Sequence, residues 1–360
     1  MALHFHPLTV RRITPDAAGA AAITLGVPPE LRQAFDFRPG QYLTFRAQVG
    51  GEELRRSYSI CSPRQRYAQA GEFDIGIKPV EGGAFSNWAL AQLEAGATLE
   101  TLPPQGGFTP TPGARHRVGF AAGSGITPIL SIIASTLEDE PDSRFTLVYG
   151  NQRAGTILFN EALADLKDRH PERLTLVHLL SRQPQEVPLL HGRLDAAKVA
   201  ELLRTLVPVA SIDEAFVCGP EGMIAATEQA LRDAGLPPER LHVERFTAGQ
   251  PVPPPRARTP KAATENKPGT PLDVVLDGKT WHLTLGADES ILEAGLAAGL
   301  DLPWSCQAGV CCTCRARVLE GRTEMVRNYT LEAREIEQGF VLTCQARAVG
   351  GKVVVSYDER

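Results

Sequence analysis

The sequence predicts a multidomain chain that joins an antiparallel β-barrel, an α/β domain with a parallel sheet, and a smaller α+β domain. Three observations predict it. Up to residue 111, short apolar runs at strand period are divided by Pro, Gly and polar clusters, the pattern of antiparallel strands. From 112 to 247, strand-like and helix-like runs alternate, which implies parallel strands covered on both faces. From 271 onward a hairpin signal and a helix lead into a cysteine-rich loop. The stretch 248–270 holds six prolines, four basic residues and no apolar period; as a flexible coil it would span about 25 Å. The expected boundaries are 1–111, 112–247, a Pro-rich linker at 248–270, and 271–360.

In the first part the strand-like runs are Leu8–Ile13, Ala21–Val27, Gln41–Val49, Leu54–Ile60 and Phe73–Pro79, with one helix near Phe85–Leu93. In the second, His116–Ala122 reads as a buried strand. Ile126–Leu137 reads as a helix with Pro128 in its first turn, where a missing N–H costs nothing. Phe145–Tyr149, Leu174–Leu180 and Glu214–Cys218 are further strands, and Ile157–Lys167 and Met223–Ala234 are helical. In the last part Asp277-Gly278 lies between Leu272–Leu276 and Trp281–Leu285, a strong hairpin signal. A helix is expected to open at Asp288-Glu289, whose acids suit an N-terminal dipole, and Val353–Val355 closes the domain.

Composition is that of an ordinary globular chain: 43% hydrophobic and 22% charged over 360 residues, enough for a core in each domain. No apolar run approaches the roughly 20 residues that span a bilayer, so no membrane association is expected. Met1–Pro7 lacks the charged and apolar regions of a signal peptide, which makes the cytoplasm the expected compartment. A net charge of −5 gives no reason to expect nucleic acid. From Pro271 onward thirteen acidic and nine basic residues leave an acidic excess, which would orient a docking partner or simply be solvated.

Seven cysteines in a reducing compartment favour metal or catalytic roles. Cys306, Cys311 and Cys314 stand as C-x4-C-x2-C, and Cys344 follows thirty residues later. This is the spacing by which four thiolates hold a [2Fe-2S] cluster in plant-type ferredoxins. Gly309 suits the loop because a residue without Cβ allows close backbone approach. A structural zinc site usually shows two C-x2-C pairs, and here the second pair is missing. Disulfides are disfavoured by three cysteines crowded in one loop. Cys312 falls outside the spacing and is read as a small side chain facing the loop.

Arg56-Ser57-Tyr58-Ser59-Ile60 lies on a barrel strand, and Lys78, Gly82, Gly83 and Ser86 surround a helix start. A helix N-terminus presents free N–H groups to a pyrophosphate, and Arg56 would add a bidentate phosphate contact. Tyr58 would stack on a flavin ring, with Ser59 near its reactive nitrogen. The bland alternative is Arg56 paired with Glu52 or Glu53 and Tyr58 in the core. Gly123-Ser124-Gly125-Ile126-Thr127-Pro128 ends a strand and opens a helix, a variant of the dinucleotide-phosphate turn. Ser181-Arg182 ends another strand, where arginine suits a 2′-phosphate; this favours NADP(H) over NAD(H).

Together these stretches resemble the ferredoxin–NADP reductase superfamily joined to a C-terminal plant-type, β-grasp ferredoxin domain. The likeness extends over Phe37–Gln41, Gly51–Cys61, Ala122–Pro128, Asp213–Pro220 and Asn328–Glu332, and points to reductase subunits of ring-1,2-phenylacetyl-CoA epoxidase complexes. The resemblance implies FAD, NADPH as donor, and delivery of electrons to the di-iron oxygenase subunits of a multicomponent complex. It implies that Cys218-Gly219-Pro220 meets the nicotinamide, making Cys218 and Ser59 the candidate catalytic residues, and that Phe246 shields the flavin. Cys218 alone has a lesser alternative reading as a small buried hydrophobe. Reductases of other hydroxylating or demethylating oxygenases share the architecture.

Overall fold

A computed structural model describes residues 3–246, 269–286 and 288–359; nearly all of the expected linker lies outside them. The chain forms two compact units, one of which spans Phe5–Arg245.

That unit begins with six antiparallel strands: β1 (His6–Pro15), β2 (Ala21–Gly26), β3 (Tyr42–Val49), β4 (Glu52–Ser59), β5 (Glu72–Ile77) and β6 (Thr98–Thr101), in the order β4-β3-β6-β1-β2-β5. The two edges meet at an Ile60–Ile75 bridge. The sheet thus closes on itself, which hides the edge N–H and C=O groups. Leu8, Val10, Ile23, Leu25, Leu43, Phe45, Phe73 and Ile75 fill the interior and are wholly buried. Two helices accompany the strands, α1 (Arg64–Ala70) and α2 (Ala84–Gln92). The sequence pattern predicts only the second. Helix α1 carries one buried side chain, Tyr67, so it shows no apolar period; it is stopped by Gly71 in the left-handed conformation.

The same unit continues as a five-stranded parallel sheet, β11-β10-β7-β8-β9. Its strands are β7 (His116–Ala122), β8 (Arg144–Asn151), β9 (Leu174–Leu180), β10 (Glu214–Cys218) and β11 (Leu241–Glu244), with helices α3 (Ile126–Asp139), α4 (Asn160–Arg169), α5 (Ala196–Thr205) and α6 (Glu221–Asp233). Strand alternation sends Phe145, Leu147 and Tyr149 into the core with α3. It sends Val118, Phe120 and Val148 into the core with α5 and α6. Every residue from Ile126 to Leu137 is buried, because α3 is sandwiched between sheet and barrel. It holds the barrel by Ser131 Oγ donating to the Ser62 carbonyl at 2.8 Å and by Arg64 N donating to Ser135 Oγ at 3.0 Å.

The second unit contains β12 (Thr270–Leu276), β13 (Lys279–Leu285), α7 (Ile291–Ala297), β14 (Arg315–Glu320), β15 (Thr323–Met325), α8 (Ala333–Glu337), β16 (Phe340–Leu342), β17 (Ala346–Ala348) and β18 (Val353–Ser356). Its main sheet has the order β13-β12-β18-β14-β16, with β15 and β17 paired separately. Asp277 (φ 52°) and Gly278 (φ 71°) form the β12–β13 turn. Two successive positive φ values mark the primed turn that suits strand twist. Helix α7 starts at Ile291, later than the expected Asp288-Glu289. Ser290 and Glu293 form a reciprocal capping box, which fixes the start more sharply than acidic residues do. Among the described residues no helix is long and apolar enough to cross a membrane.

Candidate functional site

On β4 strand alternation divides the four candidate residues. Arg56 and Tyr58 share one face, Ser57 and Ser59 the other. Arg56 is exposed, and its guanidinium donates to the Arg55 carbonyl at 2.8 Å. It is Arg55 that pairs with Glu53, at 2.8 Å. Tyr58 lies with its ring centroid 6.1 Å from Phe45 and 5.7 Å from Phe85. Burial pushes its phenol up to about 12 against the opposing pull of Arg56. Phe85 stands in the first turn of α2, so Tyr58 ties that helix start to β4.

The start of α2 fits an anionic group. Its cap is Gly83, with no side-chain oxygen on the first-turn amides. Gly82 takes φ +69°, and a Cβ on Gly83 would come within 2.6 Å of Ser86 Oγ. Ser86 is buried, with Oγ 3.5 Å from the Gly83 carbonyl, so the helix end offers its amide rather than its hydroxyl. Lys78 is exposed after β5. Arg56, Lys78 and these amides make a donor set suited to a pyrophosphate.

Ser57 Oγ lies 2.9 Å from Thr44 Oγ1 across the β3–β4 ladder. Ser59 Oγ donates to Glu244 Oε2 at 3.0 Å. Glu244 is paired in parallel register with Cys218, so Ser59, Cys218 and Glu244 converge where barrel and sheet meet. Glu244 has no role in the sequence reading. Its position just ahead of Phe246 was the available signal. Burial drives its carboxyl up to about 8, with the Ser59 hydrogen bond pulling the other way. At neutral pH it therefore holds a proton. Cys218 is fully buried, and burial raises its thiol, with the Glu244 charge adding to this once that carboxyl ionises, so at neutral pH it is uncharged. Phe246 is 41% exposed.

The dinucleotide turn is built on Gly123 (φ +55°) and Gly125. A Cβ on Gly125 would stand 2.1 Å from the Cys218 carbonyl oxygen and 2.8 Å from Gly219 N. Glycine is required there because the turn rests on the end of β10, just before Pro220. Ile126, Thr127 and Pro128 are buried, so they shape the turn from beneath and leave its backbone to face a ligand. Tyr149 donates from its hydroxyl to the Gly123 carbonyl at 2.8 Å and anchors the turn. Past the ends of β8 and β9, Ser181 N and Arg182 N each donate at 2.9 Å, to Asn151 and Gln152 carbonyls. Ala154 N donates to Gln183 Oε1 at 2.9 Å. These bonds join two loops that carry the exposed guanidiniums of Arg153 and Arg182, a donor set suited to a phosphate monoester.

In the second unit the four predicted thiols form two pairs. Cys306 and Cys311 sulfurs are 3.1 Å apart, and Ala308 N and Cys311 N donate to Cys306 Sγ at 3.3 and 3.4 Å. The Cys311 thiol and these amides lower the Cys306 pKa, while Cys311 itself is raised. Cys314 is raised first by its hydrogen bond with Cys344. Among the described residues no three His, Cys, Asp or Glu side chains converge on one ion position. Two thiol pairs fit two irons with two protein ligands each, and not one tetrahedral zinc. Gln307 (φ 52°) and Gly309 (φ 78°) curl the loop, and a Cβ on Gly309 would come within 3.0 Å of the Arg327 carbonyl. Cys312 packs on the domain core, and its carbonyl accepts from Arg315 N at 3.0 Å.

Three family models match the chain. They are an oxidoreductase FAD-binding domain over 17–109, an oxidoreductase NAD-binding domain over 120–229, and a 2Fe-2S iron-sulfur cluster binding domain over 274–349. The chain is 43% identical to a subunit of the 1,2-phenylacetyl-CoA epoxidase of Escherichia coli (strain K12), over 99% of this chain and 98% of that one. It is 34% identical to the ferredoxin reductase component of 3-ketosteroid-9-alpha-monooxygenase of Rhodococcus rhodochrous, over 97% and 96%. Among solved structures, phthalate dioxygenase reductase matches with a TM-score of 0.58 at 22% identity, covering 98% of both chains. An intact type IV self-sufficient cytochrome P450 monooxygenase matches with a TM-score of 0.69 at 23% identity, covering 98% of this chain and 41% of that one.

Proposed function

The chain belongs to the family of oxygenase reductase components that join FAD-binding, NAD-binding and [2Fe-2S] domains, and from that membership we propose that it carries electrons from NADPH through FAD and a [2Fe-2S] cluster to the di-iron oxygenase subunits of a phenylacetyl-CoA 1,2-epoxidase. The 43% full-length identity to a phenylacetyl-CoA epoxidase component carries the choice of acceptor. The proposed division is a flavin domain at 1–111, a nucleotide domain at 112–247, a linker at 248–270 and a cluster domain at 271–360. The proposed compartment is the cytoplasm, with neither membrane nor nucleic acid as a partner.

When bound, a flavin takes two electrons as a hydride and releases them singly, and a [2Fe-2S] cluster carries one at a time. The chain's own residues bind, orient and shield. Arg56 and the α2 amides neutralise a pyrophosphate, and Tyr58 supplies an aromatic wall. Arg182, Ser181 and Arg153 hold the 2′-phosphate that distinguishes NADPH. Gly125 lets the dinucleotide turn lie on Cys218 and Gly219, so the neutral Cys218 forms a packed floor. Ser59 would stand beside the reacting ring, its hydroxyl held by donating to Glu244, which keeps a proton in reserve at neutral pH. Cys306 with Cys311, and Cys314 with Cys344, would hold the cluster's irons.

The test is aerobic turnover of phenylacetyl-CoA by purified epoxidase oxygenase subunits with this protein and NADPH. Coupled product formation is expected. NADPH oxidation without product would move the acceptor to another oxygenase, the reading that the 34% identity to a ketosteroid monooxygenase reductase favours next.

A further inference from the structure

We infer that Gly76 is a positioning residue for flavin reduction, the seat on which the dinucleotide turn rests against the barrel; this rests on the electron-transfer reading above. A Cβ at Gly76 would stand 2.8 Å from Thr127 Cγ2 and 2.8 Å from Phe159 Cζ. Carbon atoms in contact normally stay about 3.5–4.0 Å apart. Nothing in the backbone calls for glycine here. Gly76 lies inside β5, in regular register opposite Ala22, and is absent from the positive-φ positions. The missing side chain therefore serves the approach of the other layer.

Thr127 yields least, because its methyl is one bond beyond Cβ on a buried helix turn. Thr127 Oγ1 donates to the Ser124 carbonyl at 3.0 Å, so turning its methyl away gives up that bond. Phe159 sits at φ 56°, a strained conformation for a bulky residue. Its N–H is held by Asp16 Oδ2 at 3.1 Å. A methyl at position 76 therefore pushes turn and barrel apart by about 1 Å. The turn is in backbone contact with Cys218 and Gly219, and Cys218 is paired with Glu244. These groups shift together, away from Ser59 and Tyr58. Misplacing reacting groups by about 1 Å costs up to roughly a hundredfold in rate.

The test is Gly76→Ala in the full-length holoprotein, mixed anaerobically with NADPH while the flavin band is followed. We expect unchanged flavin and cluster spectra and a half-saturating NADPH concentration within about twofold of the parent. The limiting rate should fall roughly tenfold to a hundredfold. A crystal structure of the variant should show the 3.0 Å Ser59–Glu244 contact opened. In a background of Thr127→Ser with Phe159→Leu, which deletes the obstructing carbons, Gly76→Ala should change the rate less than about threefold. An undiminished rate, loss of the flavin, or an equal fall in the relieved background would overturn the role of Gly76. A parent protein that NADPH does not bleach would instead strike the electron-transfer reading, while the Ser59–Glu244 contact in the variant crystal would still decide whether Gly76 is the seat.

Discussion

Replacing Glu244 by Gln should remove a pH-dependent cost from the folded protein. The folded carboxyl titrates near 8, against an ordinary value of 4.5. Between these values the folded chain keeps a proton that the unfolded chain has released. Stability therefore falls as pH rises from 4.5, and the loss is complete above 8. At roughly 1.36 kcal/mol per pH unit the cost is capped at about 5 kcal/mol. Between pH 5 and pH 9 the cost grows by about 4 kcal/mol. Glutamine preserves an acceptor for Ser59 Oγ and has no charge to bury. At pH 5 the two proteins should melt together; at pH 9 the variant should melt about 8–16 °C higher. Rates of flavin reduction should tell the same story, the parent losing a limb near 8 that the variant lacks. Parallel melting of parent and variant from pH 5 to 9 would refute the reasoning, because it would mean that the carboxyl is ionised throughout.

Three further outcomes are expected. Cys344→Ser should lose the cluster bands and iron while keeping the flavin spectrum; a normal cluster would mean that another ligand, Cys312 first, had taken its place. Arg182→Ala should weaken NADPH binding about tenfold and NADH little, the worth of one charge-assisted contact; equal weakening would remove it from the 2′-phosphate. Arg117 is fully buried and bonds Glu214 at 3.1 Å and Glu140 at 2.9 Å. Burial opposes ionisation of Glu214, yet hydrogen bonds from His242, Thr111 and Arg117 hold its pKa down to about 2. Arg117→Met should thus lower stability by about 3–5 kcal/mol in a denaturant melt, and a change below about 1 kcal/mol would show the network to be dispensable.

The parts legible from sequence were those whose chemistry is local. Cys306, Cys311 and Cys314 lie within nine residues, and Gly123 and Gly125 within three, so spacing alone exposes them. Strands Leu174–Leu180 and Glu214–Cys218 fell at their expected bounds because their apolar residues are dense and polar stretches flank them. What escaped depends on partners distant in sequence. Glu244 becomes notable only when β11 pairs with β10 and Ser59 arrives from 185 positions away. Gly76 looks like an ordinary strand glycine until Thr127 and Phe159 are placed against it. Strand β6, four residues long with two facing inward, is too short to declare a period.

The two thiol pairs also set an order in which the metal centre can be built. Cys306 and Cys311 are five positions apart, and Cys314 and Cys344 thirty. Bringing the distant pair together costs about 1.5 kcal/mol more in loop-closure entropy than the near pair. The first pair can meet in a newly made chain. The second waits until β14 and β16 are laid side by side in antiparallel register. Assembly of a four-thiolate site would therefore be coupled to folding of its domain, because the pairing of β14 with β16 is what brings Cys344 to Cys314.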